Sequence, residues 1–378
     1  MVTVLRPQRG GRYVRSSGRE IASQSTCRVL VPSTSGWKRR ATRSSWSSVG
    51  FLAAANTGAN AAPESYKSLL DYETYEWNGY KINSAVGASN KPGALDVLLV
   101  HGFGASIGHF QKTIIALSRA GHNVHALDLL GFGKSEKPLD YDYQMEGWRD
   151  LLVSYAKERI FAQGKGGKLV IMGNSIGSLA SLMAARELVE QSLERNLKGV
   201  VLLNCAGGMN NAATLDDDWR VKLAYPIFAL INALLKIEPV ARFLFGKFST
   251  KENIENVLRQ VYRNQDSVDD DLVDLIHEPA TTPGALEAFV SILTGPPGPR
   301  PEEHMPTLTK ASVPLLVLWG SSDPFTPIDG PVAKYFLDTL EPAHEFVSKA
   351  ILEDVGHCPH DDRPEAVHGA LLPWLEQL

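Results

Sequence analysis

Three side chains in this 378-residue chain have the types and the order needed for nucleophilic acyl transfer: Ser175, Asp323 and His357. Ser175 is the centre of Gly173-Asn174-Ser175-Ile176-Gly177, which directly follows the apolar run Lys168-Leu169-Val170-Ile171-Met172 and precedes a segment rich in Ala, Leu and Met. That context predicts a strand, a sharp turn and a helix. A serine at the apex of such a turn projects its hydroxyl from the end of a sheet, and the flanking glycines allow the close approach that the turn demands. A serine hydroxyl is a weak nucleophile at neutral pH. A histidine can take its proton during attack and return it to the leaving group, while an aspartate fixes the imidazole tautomer. Asp323 lies in Gly320-Ser321-Ser322-Asp323-Pro324, just past the apolar run Pro314 to Trp319. His357 lies in Val355-Gly356-His357-Cys358-Pro359. His360 is a nearby competitor for the base but lacks the preceding glycine.

Acyl transfer also needs donors for the oxyanion. His101-Gly102-Phe103-Gly104 follows the apolar run Val97 to Val100. The backbone N–H of Phe103 is expected to supply one donor, and that of Ile176, the residue after the nucleophile, the other. His101 is read as support for this loop rather than as a catalytic group. Gly131-Phe132-Gly133 is not a dinucleotide fingerprint, since a third glycine is absent and no helix opens from it. Asp128, just before it, is read as organising its loop.

The elements that must carry these residues read as follows. Asn78-Gly79 between Tyr75-Glu76-Trp77 and Tyr80-Lys81-Ile82 predicts a hairpin at the sheet edge. Strands are expected at 97–100, 123–127, 168–172, 199–204, 314–319 and within 345–353, with a helix near 111–119. Chain order serine, aspartate, histidine is that of α/β-hydrolases. The expected fold is therefore α/β: a mostly parallel eight-stranded sheet, helices on both faces, and a helical cap insertion. Core segments are expected at 61–208 and 306–378, with the cap at 209–305, because a gap of that size needs its own structure. Its centre, Leu223 to Leu235 followed by Val240 to Phe245, is apolar nearly all round. Two readings stay open: a helix packed on the core, or a lid that receives a long apolar chain or touches a membrane. Gly295-Pro296-Pro297-Gly298-Pro299 reads as a stiff return linker.

Residues 1–60 differ from the rest. They hold ten Arg and Lys, clustered serines and a single acid, Glu20. Such Arg- and Ser-rich, acid-poor composition is that of an organelle transit peptide. Taking these residues from totals of 38 basic and 42 acidic leaves 28 and 41, a net charge near −13. An acidic chain is a poor prospect for binding nucleic acid or anionic lipid by bulk charge. Cys27, Cys205 and Cys358 form neither a disulfide framework nor a metal spacing. No cofactor and no metal is expected.

From Val97 to Leu378 the chain resembles the plant and algal α/β-hydrolases of the chlorophyll dephytylase and pheophytinase group. The carrying stretches are Leu99 to Ser106, Ala126 to Gly133, Gly173 to Ala180, Leu202 to Asn211 and Val355 to Pro364. The first two recur widely across α/β-hydrolases. The stretch through Met209-Asn210-Asn211 and that around Ser291 to Pro299 are similar to the dephytylase more than to pheophytinase. Residues 1–60 share only composition with the group. The resemblance implies a chloroplast location, thylakoid association, and a chlorophyll-type pigment as the hydrophobic ester substrate, cleaved at its phytyl ester. Alternatives are a lipid or general carboxylesterase of the chloroplast, and a non-enzymatic or slow-turnover ligand receptor on a hydrolase scaffold. Dehalogenase and epoxide-hydrolase chemistry is disfavoured, since those cap-bearing relatives place an aspartate where Ser175 stands.

Overall fold

The computed structural model describes residues 65–161, 167–215 and 218–378. The expected transit segment, 1–60, lies outside the described residues. Eight strands form one sheet: β1 (Asp71–Trp77), β2 (Tyr80–Gly87), β3 (Asp96–Val100), β4 (Asn123–Leu127), β5 (Leu169–Asn174), β6 (Leu197–Leu203), β7 (Leu315–Gly320) and β8 (Val347–Leu352). Their spatial order is β1-β2-β4-β3-β5-β6-β7-β8. β1 pairs antiparallel with β2, and β2 antiparallel with β4; all other pairs are parallel. This is the eight-stranded, mostly parallel sheet that the sequence predicts.

Local chemistry explains the edges of the sheet. Asn78 and Gly79 both take positive φ, 50° and 84°, as a two-residue turn between twisted strands requires. β5 and β7 are buried at every residue, which is why they read as unbroken apolar runs rather than alternating ones.

Two apolar layers cover the sheet. On one face, Ile114 and Leu117 of α1 (Gln111–Ala120) join Val367, Leu371 and Trp374 of the C-terminal helix Pro364–Leu375. On the other, α2 (Met145–Tyr155) supplies Trp148, Leu151 and Leu152, and α3 (Ile176–Glu190) supplies Leu179, Leu182 and Met183. Between β6 and β7 the chain runs through α4 (Trp219–Leu235), α5 (Glu238–Phe248), α6 (Lys251–Val261), α7 (Asp270–Ala280) and α8 (Ala285–Thr294).

These segments differ in how they are anchored. α6 and α7 contribute Ile254, Leu258, Val261, Leu272 and Val273 to a third apolar cluster that includes Cys358, beside the proposed base. α4 buries only Leu235, and α5 only Ala241.

The chain reverses its direction across the sheet between β3 and β5, since β4 lies on one side of β3 and β5 on the other. Beyond the carboxyl ends of such strands a crevice opens, where ligands collect in open α/β sheets. α3 enters this region under tight steric control. A Cβ at Gly177 would overlap the carbonyl oxygens of Val100 and His101, and one at Gly173 would overlap the backbone of Gly177. By contrast, a Cβ at Gly369, in the C-terminal helix, would meet nothing within 4 Å. Gly177→Ala should therefore destabilise the chain by about 1–3 kcal/mol through overpacking, while Gly369→Ala should stabilise it by roughly 0.5–1 kcal/mol. Thermal melts of the two variants against the parent chain check both signs.

Candidate active site

Ser175 caps β5 in strained backbone geometry, φ 56° and ψ −122°. Several bonds hold it there. Its N–H donates to Leu203 O at 3.0 Å, and its carbonyl accepts from Ser178 N at 3.0 Å and Ala206 N at 3.2 Å. Ser178 Oγ donates to Gly173 O at 2.7 Å. A non-glycine residue at positive φ persists only where the surroundings over-determine it; here the turn between β5 and α3 is fastened to the end of β6.

Asp323 and His357 meet although 34 residues separate them: His357 Nδ1 lies 2.7 Å from Asp323 Oδ2. Both are buried. The carboxylate also accepts from the N–H groups of Phe325 (2.7 Å) and Thr326 (3.1 Å) and from the Thr326 hydroxyl. Burial alone would push the Asp323 carboxyl up. The His357 ring and the Thr326 donors outweigh it and hold the group below the usual aspartate value. Asp323 is thus kept as the carboxylate, and His357 Nδ1 donates its proton to it. That leaves Nε2 as the atom free to act as base. The Phe325 ring stands edge-on to the imidazole, with centroids 5.1 Å apart.

Ser175, Ile176, Phe103 and His357 line one cavity of about 670 Å³. Among the described residues, neither the Phe103 nor the Ile176 N–H has a hydrogen-bond partner. Two unpaired donors beside a serine hydroxyl suit an oxygen that gains charge. The structure therefore brings Asp323 and His357 into direct contact and sets Ser175, Phe103 and Ile176 around the same space.

His101 and Asp128 have other work. Leu129 N donates to His101 Nε2 at 2.9 Å, so the ring proton sits on Nδ1, which donates to Gly102 O at 2.8 Å. Burial pushes His101 down, keeping it neutral. Asp128 accepts from Ile107 N, Lys134 N and Asn83 Nδ2 at 2.7–2.8 Å, tying its loop to β2 and to the segments at 107 and 134. His360 is fully buried, stacked on Phe110 at 4.2 Å. Burial raises the Cys205 and Cys358 thiols well above their usual value, so neither is a ready nucleophile.

Three contributors carry little or no sequence signature of their role. Thr326 completes the Asp323 donor set, and its place three residues on is the one cue, a spacing that favours local side-chain to backbone bonds. Asn174 Nδ2 donates to His357 O at 3.0 Å. Asn204, with φ 45° at the end of β6, donates to Gly356 O and accepts from Gly320 N, both at 2.8 Å. Among the described residues no cluster of three or more His, Cys, Asp or Glu side chains could hold a metal ion.

The cavity wall is largely apolar. Val221, Tyr225, Phe228 and Asn232 of α4 face it, with Phe289 and Leu293 of α8 and Phe325. Asp323→Asn should lower kcat on any accepted ester by roughly 10³- to 10⁴-fold, because the wrong imidazole tautomer is then favoured. Steady-state kinetics beside a thermal melt check this, the melt being expected to change little.

The chain matches the alpha/beta hydrolase family over residues 97–370. It is similar to the chloroplastic pheophytinase of Arabidopsis thaliana, 25% identical over 317 residues, covering 75% of this chain and 61% of that protein. It is similar also to the uncharacterised hydrolase YugF of Bacillus subtilis (strain 168), 24% identical, covering 75% of this chain and 91% of that one. Among solved structures, a bacterial membrane phospholipase A superposes with a TM-score of 0.59 at 23% identity, covering 82% of this chain and 87% of its own. The carbazole-degradation serine hydrolase CarC superposes with the same score at 22% identity, covering 82% and 100%. At these identities the solved structures speak for the fold. The chain belongs to the alpha/beta hydrolase family.

Proposed function

We propose that this hydrolase cleaves a hydrophobic carboxylic ester through a serine acyl-enzyme, and that the ester is the phytyl ester of a chlorophyll-type pigment. The observation that carries the reaction is the buried Asp323–His357 pair beside Ser175 on a large apolar cavity. Ser175 Oγ attacks the ester carbonyl while His357 Nε2 takes its proton. The carbonyl oxygen, now negative, is held by the N–H groups of Phe103 and Ile176; one such donor is worth about 3–4 kcal/mol to the transition state. His357 then gives the proton to the departing alcohol, and water, deprotonated by the same nitrogen, releases the acid. No cofactor enters these steps.

The pigment rests on the pheophytinase likeness at 25% identity and on the size and largely apolar lining of the cavity, which suit a long isoprenoid tail. The same likeness supports a chloroplast location. Lipid or general carboxylesterase activity is the second reading, favoured by the likeness to lipases of Psychrobacter immobilis and Moraxella.

The segment 209–305 then serves as a cap over the site. α4 bears two faces, both largely apolar. Val221, Tyr225, Phe228 and Asn232 face the cavity, while Trp219, Leu223, Ile227 and Leu230 are 60–75% exposed. Lys222 on α4, Lys236 at its C-terminal cap and Lys247 on α5 are exposed as well. An exposed apolar row with lysines on the same segment suits the surface of a bilayer; among the described residues no helix is long and apolar enough to cross one. Leu223→Glu with Ile227→Glu should abolish sedimentation with vesicles of galactolipid and anionic lipid while leaving hydrolysis of a soluble short ester within about twofold, as expected of surface substitutions away from the site.

Wild type and Ser175→Ala should be given chlorophyll a, pheophytin a and a short synthetic ester, with chromatography of the released alcohol. The Ser175→Ala variant is expected to fold and to lose at least about three orders of magnitude in kcat. Serine-dependent release of phytol supports the pigment reading. Cleavage of the short ester alone removes the pigment and leaves the esterase. One burst with a stable adduct makes the protein a receptor.

A further inference from the structure

Asp362 lies five residues beyond the proposed base and is fully buried. Its carboxylate makes contact with two distant parts of the chain at once. Oδ2 accepts from Gly356 N at 2.6 Å, in the loop that carries His357. Oδ1 accepts from Asn264 N at 2.7 Å, and both oxygens accept from Arg263 N at 3.1 Å. Arg263 and Asn264 follow Tyr262, the C-terminal cap of α6, and belong to the insertion between β6 and β7. Among the described residues no side-chain cation pairs with this carboxylate; its charge is met by three main-chain N–H groups.

The contact does not stand alone. His357 N donates to Val261 O at 3.0 Å, so the backbone of the base is itself bonded to the end of α6. Tyr262 OH donates to Asp361 Oδ2 at 2.9 Å. A Cβ at Gly356 would overlap Val261 O, which shows how closely the two segments run. From the other side the same loop is held by the sheet: Asn174 bonds His357 O and Asn204 bonds Gly356 O.

We infer that Asp362 is a positioning residue for the reaction, a latch that makes the 261–264 segment of the insertion and the His357 loop one mechanical unit. The inference rests on the proposed role of His357 as base. It divides the insertion by function. The end of α6 is part of the catalytic frame, whereas α4 and α5 bury one residue each and make no hydrogen bond to the His357 loop among the described residues, α4 meeting the loop after β7 through the exposed Arg220–Asp329 pair. Asparagine at 362 keeps one acceptor oxygen and puts an amide donor where the other stood. One side of the latch then faces donor against donor. Alanine removes both sides.

The test uses the full chain with Asp362→Asn, Asp362→Ala and the control Asp354→Ala, which breaks the exposed Arg263–Asp354 and Arg363–Asp354 ion pairs and leaves the Asp362 contacts in place. A short p-nitrophenyl ester keeps substrate size out of the readout. For Asp362→Asn, kcat is expected to fall about 10- to 100-fold, as for a base displaced by a fraction of an ångström to an ångström, with KM unchanged within about twofold. The acid limb of the pH–rate profile should shift, and Asp354→Ala should match wild type. Amide hydrogen exchange should speed up together at 356–357 and at 263–264, and not in α4. Wild-type kcat in the folded Asp362→Asn variant overturns the inference. So does a rise in KM alone, or exchange that changes on one side of the latch only. Should Asp362→Ala not fold, the asparagine variant carries the result. A wild-type chain inert toward the ester sinks the esterase reading, whereas the paired exchange still decides the latch.

Discussion

The contact between His357 and Asp323 sets the terms for the rest of the molecule. A carboxylate out of water is costly unless its lone pairs are met, and here they are met by an imidazole, two N–H groups and a hydroxyl. That arrangement exists only if the loops after β7 and β8 converge. Adjacent parallel pairing of β7 with β8 brings them together. Asn204 at the end of β6 bonds both loops, and Asn174 at the end of β5 extends the linkage to the turn that carries Ser175. The sheet thus does more than hold a core. Its strand ends act as a row of fixed points from which the reacting groups hang.

Much of this was legible in the sequence, because the signals are local. Asn78-Gly79 demands a tight hairpin wherever it occurs between strands. Gly173 and Gly177 demand close backbone approach around Ser175, and the buried β5 and β7 reveal themselves as unbroken apolar runs. The serine, aspartate and histidine order supplied the pairing of Asp323 with His357. What stayed hidden depends on contacts between remote residues. Asn204 reads as a polar residue after a strand; only the meeting of β6, β7 and the His357 loop gives it two partners. Asp362 reads as one acid among several in Pro359 to Arg363, and two of its three donors, Arg263 N and Asn264 N, come from some hundred residues earlier in the chain.

α4 shows a different kind of limit. A helix apolar on all sides admits both a core reading and a surface reading, since periodicity vanishes when no face is polar. In the structure the helix belongs to neither description alone. Its residues at 221, 225, 228 and 232 close the cavity, and those at 219, 223, 227 and 230 face outward. Hydropathy could not separate two faces that are both largely apolar for different physical reasons.

The outer face of α4 has a consequence for the protein as a material. Water gains by losing contact with that row whatever covers it. In plain buffer the nearest available cover is the same row on another copy, so the chain carries a built-in tendency to cluster with concentration. Detergent or lipid, by occupying the row, would act as a solubiliser before acting as anything else.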